Sequence, residues 1–79
     1  MGIEVVKDRQ ISITAISNIV DDCETVEFAS VDDLEPTILF SISQPDNEPN
    51  RLLLSVDNEV DIDIAQWGIE YAKDYLFAR

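Results

Sequence analysis

Acidic side chains are the only groups of chemical interest that this sequence supplies in number, with 17 Asp and Glu residues among 79 and no histidine. Four of them alternate along one short segment: Asp57, Glu59, Asp61 and Asp63. This spacing is similar to that of the oxygen ligands in a calcium-binding loop. However, a loop that begins at Asp57 would place Ile62 where the turn needs glycine and Gly68 where the closing glutamate belongs. The segment therefore predicts the start of a helix, whose dipole favours carboxylates, and not a metal site.

The sequence also lacks the residues that most other kinds of catalytic site need. Without histidine the chain has no imidazole base and no Ser-His or Cys-His pair. Its two glycines, Gly2 and Gly68, cannot form a phosphate-binding loop. Cys23 follows Asp22 and precedes Glu24, and negative charges disfavour the thiolate that redox or nucleophilic chemistry needs. Two carboxylates could in principle hydrolyse a glycosidic bond, but a chain this short leaves little surface for a sugar-binding cleft. We therefore expect no catalysis, no cofactor and no metal.

The clearest element that positions these residues is a C-terminal amphipathic helix over about residues 59–77, where apolar residues recur at intervals of three and four. Its apolar stripe has these members: Val60, Ile64, Trp67, Gly68, Tyr71, Ala72, Tyr75 and Leu76. Asn58 and Asp61 resemble a capping box at its start, and Lys73 and Arg79 suit the negative end of the helix dipole. We expect the aromatic residues of the stripe to pack in the core.

Two strands are predicted before the helix, over residues 37–43 and 51–56, and the turn-rich residues 44–50 between them predict a hairpin. Alternation assigns the faces, because successive side chains of a strand point in opposite directions. The face that the helix covers is expected to carry Ile38, Phe40, Ile42, Leu52, Leu54 and Val56. Leu39 is expected on the opposite face.

The N-terminal half permits two interpretations. Ile11 and Ile13 alternate with polar residues as in a strand, but a helical stripe also fits, through Ile13, Ile16, Ile19, Val20 and Cys23. We prefer the strand because β-branched residues are dense between positions 11 and 20. Residues 25–29 would then form a second strand after a turn at residues 21–24, and residues 30–36 would connect it to the hairpin. The predicted fold class is α+β: a mainly antiparallel sheet of three or four strands with the C-terminal amphipathic helix packed on one face.

Size and composition agree with a single acidic domain over residues 1–79. A hydrophobic fraction of 46% is enough to form a core despite a net charge of −12. A domain this small gains only modest stability, so a homodimer or a bound partner is one way to add to it. Cys23 is the only cysteine, so no intramolecular disulfide can form, and no stretch approaches the roughly 20 apolar residues of a membrane span. These features predict a cytoplasmic protein that does not bind membranes.

The acidity predicts the kind of partner. With 17 acidic residues against 5 basic ones, the surface repels nucleic acids and anionic membranes, so we expect a basic protein, itself nucleic-acid-binding, as partner. The acidic residues form clusters along the chain rather than one tail, and must therefore decorate a folded surface. We predict that the partner-binding residues are Asp21, Asp22, Glu24, Glu27, Asp32, Asp33, Glu35, Asp46 and Glu48.

Carboxylates on a folded surface can stand at spacings close to those of phosphates, which is the physical basis of DNA mimicry. In size, charge and lack of catalytic residues, the chain resembles small acidic phage inhibitors such as anti-CRISPR and anti-restriction proteins. The resemblance implies a stoichiometric inhibitor that occupies the basic nucleic-acid-binding surface of its target. Two alternatives stay open: an immunity protein or antitoxin against a basic nuclease, and an adaptor or structural subunit that docks through its apolar helix face. One continuous acidic face would favour inhibition, and acids scattered around an apolar patch would favour the adaptor.

Overall fold

One antiparallel sheet, in which each strand pairs with its neighbour in sequence, is covered on one face by the C-terminal helix. The computed structural model describes residues 2–18, 20 and 22–78, so Ile19, Asp21 and Arg79, named above, lie outside the described residues. The elements are β1 (Gly2–Val6), β2 (Arg9–Asn18), β3 (Cys23–Ser30), β4 (Thr37–Pro45), β5 (Leu53–Val56) and α1 (Ile62–Ala78). The α+β class is confirmed, and the sheet has five strands where three or four were predicted.

The additional strand is β1, which pairs with the first half of β2 through a two-residue turn. Both turn residues, Lys7 and Asp8, have positive φ angles, of 53° and 62°. Two such residues define the type I′ turn that suits the right-handed twist of a hairpin, and Asn-Gly is its usual sequence. Because Lys-Asp carries no such signal, the hairpin could not be predicted from these residues.

The strand interpretation of the N-terminal half is confirmed, since β2 pairs with β3 from Ile11 opposite Ser30 to Asn18 opposite Cys23. Ile11 and Ile13 are buried, as the alternation predicts. The predicted turn at residues 21–24 is too long, because Cys23 and Glu24 already belong to β3. The connection from β3 to β4 is also shorter than predicted, because Ser30 ends β3.

A β-bulge in β4 changes the predicted faces of that strand. Phe28 of β3 pairs with Phe40, but the next residue, Ala29, pairs with Ile38, so Leu39 is an extra residue in the ladder. As a result Leu39 and Phe40 are both buried, at 4% and 0% exposure, while Ile38 is 41% exposed. The prediction was therefore wrong for Ile38 and Leu39, because strict alternation does not hold across a bulge.

The β4–β5 hairpin is confirmed, although β4 runs on to Pro45 and β5 begins only at Leu53. The connection between them is held from inside by Gln44, which is 5% exposed. Its side-chain Nε2 donates a hydrogen bond to the carbonyl of Pro49 over 2.8 Å. The backbone of Arg51 also donates to the carbonyl of Glu48, over 3.0 Å. These bonds form turns between residues 46 and 50, and Arg51 and Leu52 lie outside the strand that was predicted to begin at residue 51.

The helix begins at Ile62 and not near residue 59, because Asn58 has another role. The side-chain Nδ2 of Asn58 donates to the carbonyl of Ile38 over 2.7 Å, and its backbone N–H donates to the carbonyl of Leu39 over 3.2 Å. Asn58 thus binds the bulge of β4 and is not the helix cap. The carbonyl of Asp61 accepts the first helical hydrogen bond, from Ala65 over 3.0 Å, so Asp61 occupies the N-cap position.

The core lies between α1 and the middle of the sheet. The helix buries Ile64, Gly68, Ala72 and Leu76. Beneath it the rings of Phe28 and Phe40 stack with centroids 4.6 Å apart. Trp67 and Tyr71 place their rings edge-on to Phe28, at 5.6 Å and 6.2 Å, and stay half-buried. The described residues include no helix that is both long and apolar enough to cross a membrane.

Candidate functional site

The up-and-down order of the strands places all connections at two opposite ends of the sheet. The β1–β2 turn, the β3–β4 connection and the start of α1 meet at one of them, and we call this the acidic end. Its eight carboxylates are Asp8, Asp32, Asp33, Glu35, Asp57, Glu59, Asp61 and Asp63. The fold thus joins the predicted cluster at residues 32–35 with the segment at residues 57–63, which the sequence assigned only to the helix start.

Two cations lie at the acidic end, and a carboxylate binds each of them. Lys7 Nζ lies 3.3 Å from an oxygen of Asp63, and Arg9 Nε lies 2.9 Å from an oxygen of Asp32. The other carboxylates of this end make no ion pair with any described residue: Asp8, Asp33, Glu35, Asp57, Glu59 and Asp61. The acidic end therefore presents a surplus of negative charge to solvent.

Asp32 differs from its neighbours because its carboxylate is held by three groups. The backbone N–H of Gln10 donates to it over 3.1 Å, Arg9 over 2.9 Å and the hydroxyl of Ser30 over 3.4 Å. The hydrogen bond from Gln10, followed by that from Arg9, holds the pKa of Asp32 below its ordinary value. Asp32 was predicted to bind a partner, but here it fastens the β3–β4 connection to the start of β2.

A cleft of about 280 Å³ opens beside the start of α1. Its lining residues are Arg9, Leu39, Glu59, Val60, Asp61 and Ile64. Leu39 and Ile64 are buried core residues and Val60 is half-buried, whereas Glu59 and Asp61 are exposed, so the lining is partly apolar and partly polar. The cleft thus combines an apolar surface with two carboxylates that make no ion pair among the described residues.

Two groups of the predicted residues meet at the opposite end of the sheet: Asp22 with Glu24, and Asp46 with Glu48. The backbone N–H of Asp46 donates to the carbonyl of Asp22 over 2.8 Å, which joins the β2–β3 and β4–β5 connections. The side chains here are partly engaged, because the hydroxyl of Ser17 donates to Glu24 and Arg51 pairs with Glu48 over 3.3 Å. Asp21 belongs to the same predicted cluster but lies outside the described residues. The nine predicted residues therefore do not form one surface.

The face of the sheet opposite α1 carries almost no charge, and we call it the open face. Glu27 is the one acidic residue that the register of the described strands places on it. Its middle carries hydroxyl groups, among them those of Thr25 and Ser43, which lie 2.9 Å apart. Its exposed apolar residues are Ile3, Val5, Ile16, Ile38 and Leu53, each between 41% and 70% exposed. The sequence did not predict this surface, because the one apolar residue expected on the opposite face was Leu39, which is buried at the bulge.

The arrangement of carboxylates at the acidic end permits contact with a cationic group. Within the described residues, no three carboxylate or thiol side chains stand together in a way that could hold a metal ion. A surplus of carboxylates around a small cleft can instead receive a cationic group of another molecule. A scan of protein-family models, a search of curated proteins and a search of solved structures each find no match to this chain.

Proposed function

We propose that this chain is a non-catalytic binding protein whose acidic end occupies the basic, nucleic-acid-binding surface of a target protein and blocks it. The observation that supports this proposal is the group of six carboxylates at the acidic end that make no ion pair among the described residues. An unpaired, exposed carboxylate is still hydrated and gains most from a partner's Lys or Arg, whereas one already paired gains little.

The carboxylates at the acidic end act on a partner separately from those at the other end of the sheet. The ten residues of β2 span about 30 Å, which is several times the Debye length of about 8 Å at physiological ionic strength. At that salt concentration the two ends of the sheet therefore attract a basic surface independently. Mutual repulsion of the carboxylates at one end also favours a partner that brings several cations to it at once.

The cleft gives this surface a specific receptor for a cationic side chain. The aliphatic stem of a Lys or Arg would lie along the half-buried Val60, while its charged head reaches Glu59 and Asp61. Arg9 also lines the cleft, but the charge of Asp32 balances it, so Glu59 and Asp61 give the cleft a net negative charge. We expect a protruding Lys or Arg of the partner's nucleic-acid-binding surface to enter here.

The test uses the purified chain, immobilised and exposed to lysate from which nucleic acid has been removed. We expect it to enrich a basic nucleic-acid-binding protein at low salt, and we expect soluble DNA or RNA to compete for that protein. A first triple variant, Asp33→Asn, Glu35→Gln and Glu59→Gln, should weaken binding at least about tenfold, since each lost ion pair contributes up to about 1 kcal/mol.

The matched control removes the same number of charges elsewhere, through Asp22→Asn, Asp46→Asn and Asp74→Asn. Equal weakening by both triple variants would mean that net charge alone drives binding, and the proposal for the acidic end would be rejected. A captured protein that nucleic acid cannot displace would also contradict it. If the captured protein is a nuclease that the chain inactivates, the immunity-protein or antitoxin form of this function applies.

A second candidate, an adaptor, is favoured by the open face. The apolar helix face, through which the adaptor alternative was expected to dock, is largely turned toward the sheet, so an adaptor would dock through the open face instead. Ile16 lies in β2 on the open face, and the variant Ile16→Lys distinguishes the adaptor from the inhibitor. It should abolish association of an adaptor at any salt concentration and should leave binding through the acidic end unchanged.

A further inference from the structure

The edge strand β5 has exposed hydrogen-bonding groups and no charged side chain. It forms one edge of the sheet, pairing only with β4, so the outer N–H and C=O groups of its backbone have no strand partner among the described residues. Leu53, Leu54 and Val56 are 41%, 53% and 59% exposed. Edge strands of stable monomers are usually very short, or carry a charge, a proline or a bulge that prevents pairing with another chain. β5 is short, with four residues, but it carries no charge, proline or bulge within Leu53–Val56.

We propose that β5 pairs antiparallel with β5 of a second copy of this chain, about a two-fold axis at Leu54. The two sheets then join into one continuous sheet with both helices on the same side. This inference does not rest on the proposed function, because it is carried by the uncharged edge of β5, and of the acidic end it uses Asp57 alone.

Complementary residues select this register. With Leu54 opposite Leu54 of the second copy, continuing the pairing beyond Leu53–Val56 brings Leu52 opposite Val56 and Arg51 opposite Asp57. Arg51 would then exchange its exposed ion pair with Glu48 for one with Asp57 of the second copy. The pairing is therefore apolar in its middle and closed at both ends by opposite charges. Moving the two-fold axis to Leu53 places Arg51 opposite Ser55, and moving it to Ser55 places Asp57 opposite Leu53. Only the register about Leu54 satisfies both the apolar and the charged residues.

The opposite edge of the sheet does not offer the same complementarity. β1 carries Glu4 at its centre, so a two-fold pairing of β1 with itself about that residue would place two carboxylates opposite each other. Such like-charge pairs oppose strand association. The contrast between the two outermost strands favours β5 over β1 for pairing with a second copy.

The helix leaves room for the second copy. Leu54 and Val56 point to the side of the sheet that α1 covers, yet both are more than half exposed. Pairing would cover them with the same residues of the second copy. An edge of this length buries far less than the roughly 1,200 Å² of a stable interface, and each copy carries a net charge of −12, so the dimer is expected to be weak and to strengthen with salt.

A disulfide trap tests the register. In a Cys23→Ser background, Leu54→Cys places the two introduced cysteines directly opposite each other. The Cα atoms of directly opposite residues in an antiparallel pair lie roughly 4.5–5.5 Å apart, within the roughly 4.4–6.8 Å range that a disulfide needs. Leu53→Cys is the control, because the two introduced thiols would then lie about 8 Å apart on the diagonal. We expect covalent dimer from Leu54→Cys and at least about tenfold less from Leu53→Cys under the same oxidant. Equal yields from both would overturn the register.

Reversible association tests the surface itself. Sedimentation equilibrium of the natural sequence, from micromolar to millimolar concentration, should show a dimer that strengthens with added salt. Leu54→Lys should weaken it at least about tenfold, because two like charges then face each other at the axis. Val5→Lys at the opposite edge is the control and should leave it unchanged. A chain that stays monomeric throughout, or a dimer that survives Leu54→Lys, would disprove the proposal.

A charge exchange separates specific pairing from the effect of net charge. Asp57→Arg lowers the net negative charge, which by itself favours association, yet here it should weaken the dimer about threefold, by placing Arg opposite Arg51. The double variant Arg51→Asp with Asp57→Arg restores both the pair and the original net charge, and should restore the affinity. If the dimer tightens steadily as negative charge is removed, the pairing of Arg51 with Asp57 is wrong.

Discussion

Gly68 sets how closely the helix can approach the sheet. A Cβ atom at this position would lie 2.4 Å from Cζ and 2.7 Å from Cε2 of the Phe40 ring. That ring is fully buried and stacked on Phe28, so it has no free space into which to move. The glycine thus serves packing, although it is an unfavourable residue for a helix.

Gly68→Ala is accordingly expected to destabilise the protein. The gain in helix propensity is about 1 kcal/mol, and the cost of overpacking a filled core is about 1–3 kcal/mol. We expect a net loss of about 1 kcal/mol in the free energy of unfolding, measured by chemical denaturation. The double variant Gly68→Ala with Phe40→Leu should lose less than the sum of the two single changes, because the smaller side chain removes the clash. Strict additivity would contradict this account.

Asp32 contributes to stability in a pH-dependent way. Its pKa in the folded state is lowered, first by the hydrogen bond from Gln10 and then by that from Arg9. A lowered pKa means that the ionised form stabilises the fold. The contribution is complete above the ordinary pKa of Asp, about 3.9, and is lost as the pH falls through the lower folded-state value.

Asp32→Asn should therefore destabilise the protein at neutral pH and should have a progressively smaller effect below about pH 4. Denaturation curves of both chains between neutral and strongly acidic pH measure this difference. Asp33→Asn is the control, because Asp33 is exposed and makes no ion pair with a described residue. A difference for Asp32→Asn that stays constant down to the lowest pH would show that the charge is not what stabilises the β3–β4 connection.

Among the elements, the hairpin of β1 and β2 holds two residues in an unfavourable backbone conformation. A residue other than glycine in the left-handed region costs roughly 1 kcal/mol, and Lys7 is less tolerant of it than Asn or Asp. Lys7 also pairs with Asp63, but both side chains are more than 60% exposed, so this pair offsets only a part of the cost.

Replacing the turn by its preferred sequence, through Lys7→Asn and Asp8→Gly, should stabilise the protein by about 1 kcal/mol. The gain should appear as a higher denaturation midpoint with an unchanged dependence on denaturant. Because the double variant removes one cation and one carboxylate from the acidic end, Lys7→Gln with Asp57→Asn serves as a control for charge. If the control gained as much stability as the double variant, the effect would belong to the charges and not to the turn.

The strands and the helix could be predicted because their side chains repeat with a period, whereas their irregularities could not. Ile11 and Ile13 indicate β2 by alternation, and Ile64 with Gly68 indicates α1 by spacing. The bulge at Leu39 depends on backbone pairing with β3, for which no residue type is diagnostic. Asn58 is a common helix cap, but its hydrogen bonds go to β4 because the bulge leaves carbonyl groups there to accept them.

At the scale of the whole molecule, the topology decides which charges meet. The sequence predicts acidic clusters, but it cannot show that Asp33 and Glu59 share one end of the sheet, because that depends on the direction of every strand between them. Nor can it show that Asp32 is already bound by Arg9. The acids are neither one continuous face nor evenly scattered: they lie mainly at two ends, with the open face nearly free of them.

The order of the strands also has a consequence for how the chain folds. Each strand finds its partner within a short stretch of sequence, so hairpins can form one after another during synthesis without long loops to close. Among the described elements α1 is the last to leave the ribosome, and until it does, Phe28 and Phe40 face water. The interval between completion of the sheet and arrival of the helix is thus the period in which a nascent chain is most exposed to aggregation.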